Sequence, residues 1–140
     1  MPSYSRSDSP HDPSADPELV ESATRGHRDH TFVHGALAQW ETMHGGVRRQ
    51  ILAHTTDLML VRVDFDAGAV GQLHQHQHRQ ISYVAEGRFR AQVGDETREL
   101  VRGDSFLVLA NKPHSVVALE AGTLLDSFTP AREDFLAVIA

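Results

Sequence analysis

Four side chains that can donate a lone pair fall at alternate positions in one short run: His74, His76, His78 and Gln80. In an extended chain, alternate residues share a face, so all four point the same way. Imidazole is the commonest biological metal ligand, and two at i and i+2 can reach one ion. His114, which follows Asn111-Lys112-Pro113, is the natural remote partner, and the amide oxygen of Gln80 completes a four-ligand shell. Every group in that shell is neutral. A bound dication would keep its whole charge for polarising a substrate. The competing reading is a polar loop whose histidines face water. Gly68 before the cluster, Gly87 after it and the turn at Pro113-His114 favour the metal site.

The elements that must position these groups are short strands. From Phe32 onward, alternating segments are separated by glycine, proline or acidic turn residues, the pattern of antiparallel strands. Met59, Val61, Val63 and Phe65 share one face, with Arg62 and Asp64 on the other. Arg88 to Val93 and Arg98 to Val101 flank Gly94-Asp95-Glu96 and read as a hairpin. Further strands are expected at Ser105–Leu109, His114–Leu119 and Thr123–Phe128, and a helical turn at Arg132–Ile139. Many closely spaced strands and no internal repeat predict an all-β sandwich or barrel rather than a parallel sheet with crossover helices.

The first thirty residues differ. Pro2, Pro10, Pro13 and Pro17 lie among Ser and Asp with few large apolar side chains, predicting a disordered N-terminal tail over 1–31 and a barrel over 32–140. Asp16-Pro17-Glu18 has the N-cap, first-turn proline and early acid of one short helix. His11, His27, His30 and His34 read as solvated, as do His44 and His54.

Composition removes several classes of function. At 140 residues with 40% hydrophobic content, the chain suits one domain. It has no cysteine, so any metal is held by nitrogen and oxygen. A formal charge of -6, with scattered basic residues, argues against nucleic acid. No long apolar run suggests a membrane span, and the polar first residues lack a secretory layout, so a cytoplasmic protein is expected.

The spacing Gly68-x5-His74-x-His76-x3-Gln80-x6-Gly87 resembles the first cupin motif, with Gln80 in the place usually taken by glutamate. Gly103-Asp104 and Pro113-His114 resemble the second motif more loosely, lacking its inner glycine and trailing asparagine. The resemblance implies a single cupin domain, a double-stranded β-helix or jelly-roll barrel. Within the cupins, the chain is similar to the KdgF group of pectin degradation proteins. The likeness extends over Gly46–Ile51, Leu58–Val63, Gln80–Val84 and the ending Asp126-Ser127-Phe128-Thr129-Pro130-Ala131-Arg132-Glu133-Asp134-Phe135. It implies His74, His76, Gln80 and His114 as metal ligands, with Asp126, Phe128 and Arg132 in the catalytic pocket. His78 is off the motif and reads as a pocket-rim group rather than a ligand.

The family reaction opens the ring of 4,5-unsaturated uronates to linear 4-deoxy-5-keto products, implying a sugar-acid substrate. One divalent ion (Ni, Zn, Fe, Mn or Co) would act as a Lewis acid. Asp126 would be the general acid or base, and Arg132 would hold the uronate carboxylate. Each has a plainer alternative: Asp126 capping a turn, Phe128 as ordinary core, Arg132 paired with Glu133 or Asp134. Tyr83, Gln72 and Arg62 are further candidates for the pocket wall. Other readings are a polyketide-cyclising cupin, a non-haem iron oxygenase, or a non-catalytic sugar-binding module. A homodimer is expected, with the segment around Trp40 either joining a partner sheet or covering its own barrel.

Overall fold

The computed structural model describes residues 12–24 and 26–136. Part of the expected tail (residues 1–11, with His11, and residue 25) and residues 137–140 of the expected C-terminal helical turn lie outside the described residues. Ten strands form within them: β1 (Trp40–Thr42), β2 (Val47–His54), β3 (Met59–Phe65), β4 (Val70–His74), β5 (Arg79–Glu86), β6 (Arg88–Val93), β7 (Glu96–Val101), β8 (Ser105–Val108), β9 (His114–Ala118) and β10 (Gly122–Thr129). Two short α-helices accompany them, α1 (Pro17–Thr24) and α2 (Glu133–Leu136), with a 3-10 turn at Pro13–Ala15. Asp16 caps α1 through its carboxylate, which accepts from the Glu18 amide at 2.9 Å. No described helix is long and apolar enough to cross a membrane.

All pairings between the strands are antiparallel, in a six-stranded sheet β1-β2-β3-β10-β5-β8 and a four-stranded sheet β4-β9-β6-β7. Their inner faces enclose the core of a jelly-roll barrel. One apolar cluster joins both sheets through Phe65, Val84, Phe89, Val116 and Leu124. A second, of Ile51, Met59, Val61, Phe128 and Ala131, closes the end beneath α2. The Phe65 and Phe89 rings meet edge to face at 5.2 Å. Gly87 turns β5 into β6 at φ +84°, and a Cβ there would come within 2.6 Å of the Ala121 carbonyl oxygen. Only glycine fits that approach.

The histidine placements differ from expectation, and Trp40 takes one of the two positions open to it. His74, His76, His78 and Gln80 do not lie along one continuous strand: β4 ends at His74 in the smaller sheet, and β5 begins at Arg79 in the larger. The run bends between the sheets, and the groups converge because the chain crosses there. His54 is buried rather than solvated; its Nδ1 donates to the Leu52 carbonyl at 2.9 Å. His27, half-buried, packs its ring edge-on to His54 at 5.3 Å, with Nε2 2.7 Å from the Ile51 carbonyl. Trp40 pairs through β1 with Gln50 of its own sheet, and Arg48 lies 4.3 Å above its ring.

Candidate metal centre and pocket

The crossing places the ring nitrogens of His74, His76 and His114 within 4.8 Å of one another. His74 and His114 are direct cross-strand partners on β4 and β9. His76 stands in the bend, where its carbonyl accepts from the Asn111 amide at 2.7 Å. Each ring is oriented by backbone: Nδ1 lies 2.7 Å from Gln72 O in His74, 2.9 Å from His78 O in His76 and 2.9 Å from Lys112 O in His114. A carbonyl only accepts, so each ring donates from Nδ1 and its Nε2 carries a bare lone pair. Burial lowers the His114 pKa to about 4 and shifts that of His76 downward, with Arg132 adding to the effect at His76. Both are neutral at pH 7, as a ligand must be.

Gln80 faces this triad from the other sheet, and the direction of its amide follows from its neighbours. Ser82, fully buried, donates its one hydroxyl proton to Asp126 Oδ1 at 2.6 Å. Its oxygen then accepts from Gln80 Nε2 at 2.8 Å. Gln80 Oε1 is left 3.0 Å from His76 Nε2. Two lone pairs therefore face each other with no proton between them, and His114 Nε2 is buried with no hydrogen-bond partner. Both features are unfavourable in a closed protein interior unless a cation lies among them. The donor set, three imidazoles and an amide oxygen, fits a divalent transition ion or zinc.

A cavity of about 240 Å³ opens beside the triad and is lined by His74, Gln80, His114, Asp126, Phe128 and Arg132, so the implied pocket residues do meet there. Asp126 lies opposite Ser82, and Phe128 opposite Gln80, across the β10–β5 pairing. Burial raises the Asp126 pKa to about 6, against the opposing pull of the Ser82 hydrogen bond and the Arg132 charge. Phe128 belongs to the second apolar cluster and also stands edge-on to the His76 ring at 5.8 Å. Arg132 is buried, bound in bidentate fashion by Asp134 at 2.9 and 2.7 Å, and still lines the cavity. Tyr83, Gln72 and Arg62 do not: Tyr83 and Gln72 are exposed, and Arg62 turns to Asp64 at 3.0 Å. His44 is exposed at the cavity rim, and His78 has a buried Nδ1 without a partner.

Sequence reasoning missed two groups. Ser82 continues the alternation 74-76-78-80 by one step, a signal present in the chain. Arg49 sits between Val47 and Ile51 on one strand face, buried and lining the cavity; a charged residue alternating with apolar ones was the available sign.

Comparison with known proteins agrees with the geometry. A cupin domain model matches residues 61–127. The pectin degradation protein KdgF of Dickeya dadantii (strain 3937) is 44% identical over 99 residues, 69% of this chain and 90% of its own. The solved structure of KdgF from Halomonas sp. superposes with a TM-score of 0.72 at 42% identity, covering 75% of this chain and 97% of that one. An RmlC-like cupin from Shewanella frigidimarina NCIMB 400 superposes with a TM-score of 0.75 at 41% identity, covering 78% and 98%. A jelly-roll barrel, a histidine cluster at the crossing of its sheets and this identity over nine-tenths of a curated relative place the chain in the cupin family, in the group of small single-domain cupins that contains KdgF.

Proposed function

We propose that the chain is a metal-dependent enzyme that opens the ring of 4,5-unsaturated uronate monosaccharides to a linear 4-deoxy-5-keto-uronate. His74, His76, Gln80 and His114 would hold one divalent ion. The observation that carries this reading is that His74, Gln80 and His114, three of the four proposed ligands and none of them a carboxylate, share one cavity with a buried acid, Asp126, and a buried guanidinium, Arg132. When bound, the ion would polarise a substrate oxygen as a Lewis acid.

The charges favour a monoanionic substrate. Arg132 is balanced by Asp134, so a dication facing an ionised Asp126 leaves one net positive charge in the pocket. A single carboxylate neutralises it. Ring opening is an isomerisation that relocates a proton and changes no oxidation state. Asp126, buried in the same cavity, can take up or deliver that proton. Arg132 presents its remaining N–H groups to the carboxylate, and Phe128 holds both Arg132, 5.2 Å from its ring, and His76 in place. The name of the curated relative, a pectin degradation protein, supports the same substrate class.

The test incubates the protein with the unsaturated uronate and follows loss of its ultraviolet absorbance. Wild type is expected to exceed the spontaneous rate by at least about 10³-fold, and Asp126→Ala to lose most of that gain. Decay at the spontaneous rate overturns the reading. Metal content after chelator-free purification separates the alternatives: no stoichiometric metal would remove every metal-enzyme reading and leave a sugar-binding module.

Ser82 gives an independent check on the ligand set. Without its hydroxyl, nothing holds the Gln80 amide with oxygen toward the histidines. Ser82→Ala is expected to weaken Zn²⁺ binding about 10- to 100-fold, measured by competition with a chromogenic chelator. Unchanged affinity would mean that Gln80 Oε1 is not a ligand.

A further inference from the structure

We propose that Arg49 is a second carboxylate-binding residue of this pocket, acting with Arg132 to select acidic over neutral sugars. The inference rests on the sugar-acid reading above. Arg49 comes from β2 and Arg132 from the segment between β10 and α2, yet the two guanidinium groups share one ring. Arg49 lies 3.8 Å and Arg132 4.1 Å from the centroid of Phe135 in α2. They are therefore within about 8 Å of each other.

Both are held in the same manner. Asp134 takes Nε and Nη2 of Arg132; Glu41 takes Nε and Nη2 of Arg49, at 3.2 and 3.0 Å, through the single oxygen Oε2. Glu41 reaches this position because β1 pairs it directly with Arg49. Each carboxylate uses one edge of its guanidinium and two of five N–H donors. The fork is thereby fixed, with donors to spare, in a group that lines the cavity. The Arg49 side chain is only 10% exposed. Desolvating a guanidinium is costly, and packing against Phe135 alone would be served by an apolar residue without that cost. A ligand carboxylate entering between the arginines would receive charge-assisted bonds from both, whereas a neutral sugar would not.

Removing Arg49 alone would leave a half-buried Glu41 without its partner, so the decisive variant is Glu41→Gln/Arg49→Gln, neutral at both positions. Calorimetry on the full chain would use D-galacturonate and D-galactose as probes. Wild type is expected to prefer galacturonate, and the double variant to lose about 10- to 100-fold in galacturonate affinity with galactose unchanged. KM for the unsaturated uronate should rise by the same factor while kcat moves less than about threefold. Arg49→Lys keeps the ion pair but not the planar fork, and should lose about tenfold; it serves if the double variant does not fold. Equal binding of the two sugars by wild type, or a variant that loses thermal stability but keeps galacturonate affinity, overturns the proposal. Lost discrimination in the variant without any turnover by wild type would uphold Arg49 and overturn the reaction instead.

Discussion

Asp126→Asn is expected to lower kcat about 10²- to 10⁴-fold and, in the metal-free protein, to raise stability above pH 6. The two effects share one cause. Burial raises the carboxyl pKa from 3.8 to about 6, outweighing the Ser82 hydrogen bond and the Arg132 charge, which lower it. The folded chain therefore holds this proton to higher pH than the unfolded chain. Its contribution to stability is fully present below pH 3.8 and is lost as pH rises through 6. The shift corresponds to about 3 kcal/mol at pH 8. A neutral amide escapes that loss. Thermal unfolding of the apo forms from pH 3.5 to 8 should show the variant ahead by several degrees at pH 8 and level with wild type below about pH 4. A variant less stable at pH 8 would mean that the carboxylate serves the fold through Ser82 and is not held there at a cost for chemistry.

How much of this could be read from the chain depends on the range of the interaction. Strand periodicity located β3, β6 and β10 because their burial is set by which face meets the core, a local property. The alternation through His74, His76 and Gln80 pointed to convergence, yet for an incomplete reason: the decisive step is the passage between sheets over 75–78, which depends on pairing with β9 and β10. Ser82 was legible as a position but not as a link, since its function lies in Asp126, forty-four residues away. Arg132 posed the opposite difficulty. In the sequence its pairing with Asp134 and its place in the pocket are alternatives; the structure has both, because a guanidinium has donors for two partners. Arg49 needed the register of β1 against β2, which a three-residue strand does not announce. Histidine tolerates either setting, so the burial of His54 is set by tertiary packing, including the His27 ring against it.

Gln80→Glu is the substitution with the second large expected effect, and its interest is that metal binding and turnover should part company. A carboxylate can coordinate through the position Gln80 Oε1 now holds, so metal affinity should be kept within about tenfold or improve. Two things are lost. The Nε2 donor to Ser82 disappears, leaving one hydroxyl proton to serve two buried acceptors, the new carboxylate and Asp126. The ion's charge is also offset from within its own shell, so the pocket that balanced a substrate monoanion becomes neutral before the substrate arrives. Like-charge repulsion and lost polarisation both act on the transition state, and kcat should fall about 10²-fold. Gln80→Ala should behave differently, losing metal affinity and turnover together. Metal titration and the ultraviolet assay on the two variants separate these patterns. Wild-type turnover in Gln80→Glu would show that coordination alone matters at this position. The neutrality of the ligand set would then carry no argument for Lewis-acid isomerisation, and the hydrogen-bonded path from Gln80 through Ser82 to Asp126 would be a device for packing rather than for chemistry.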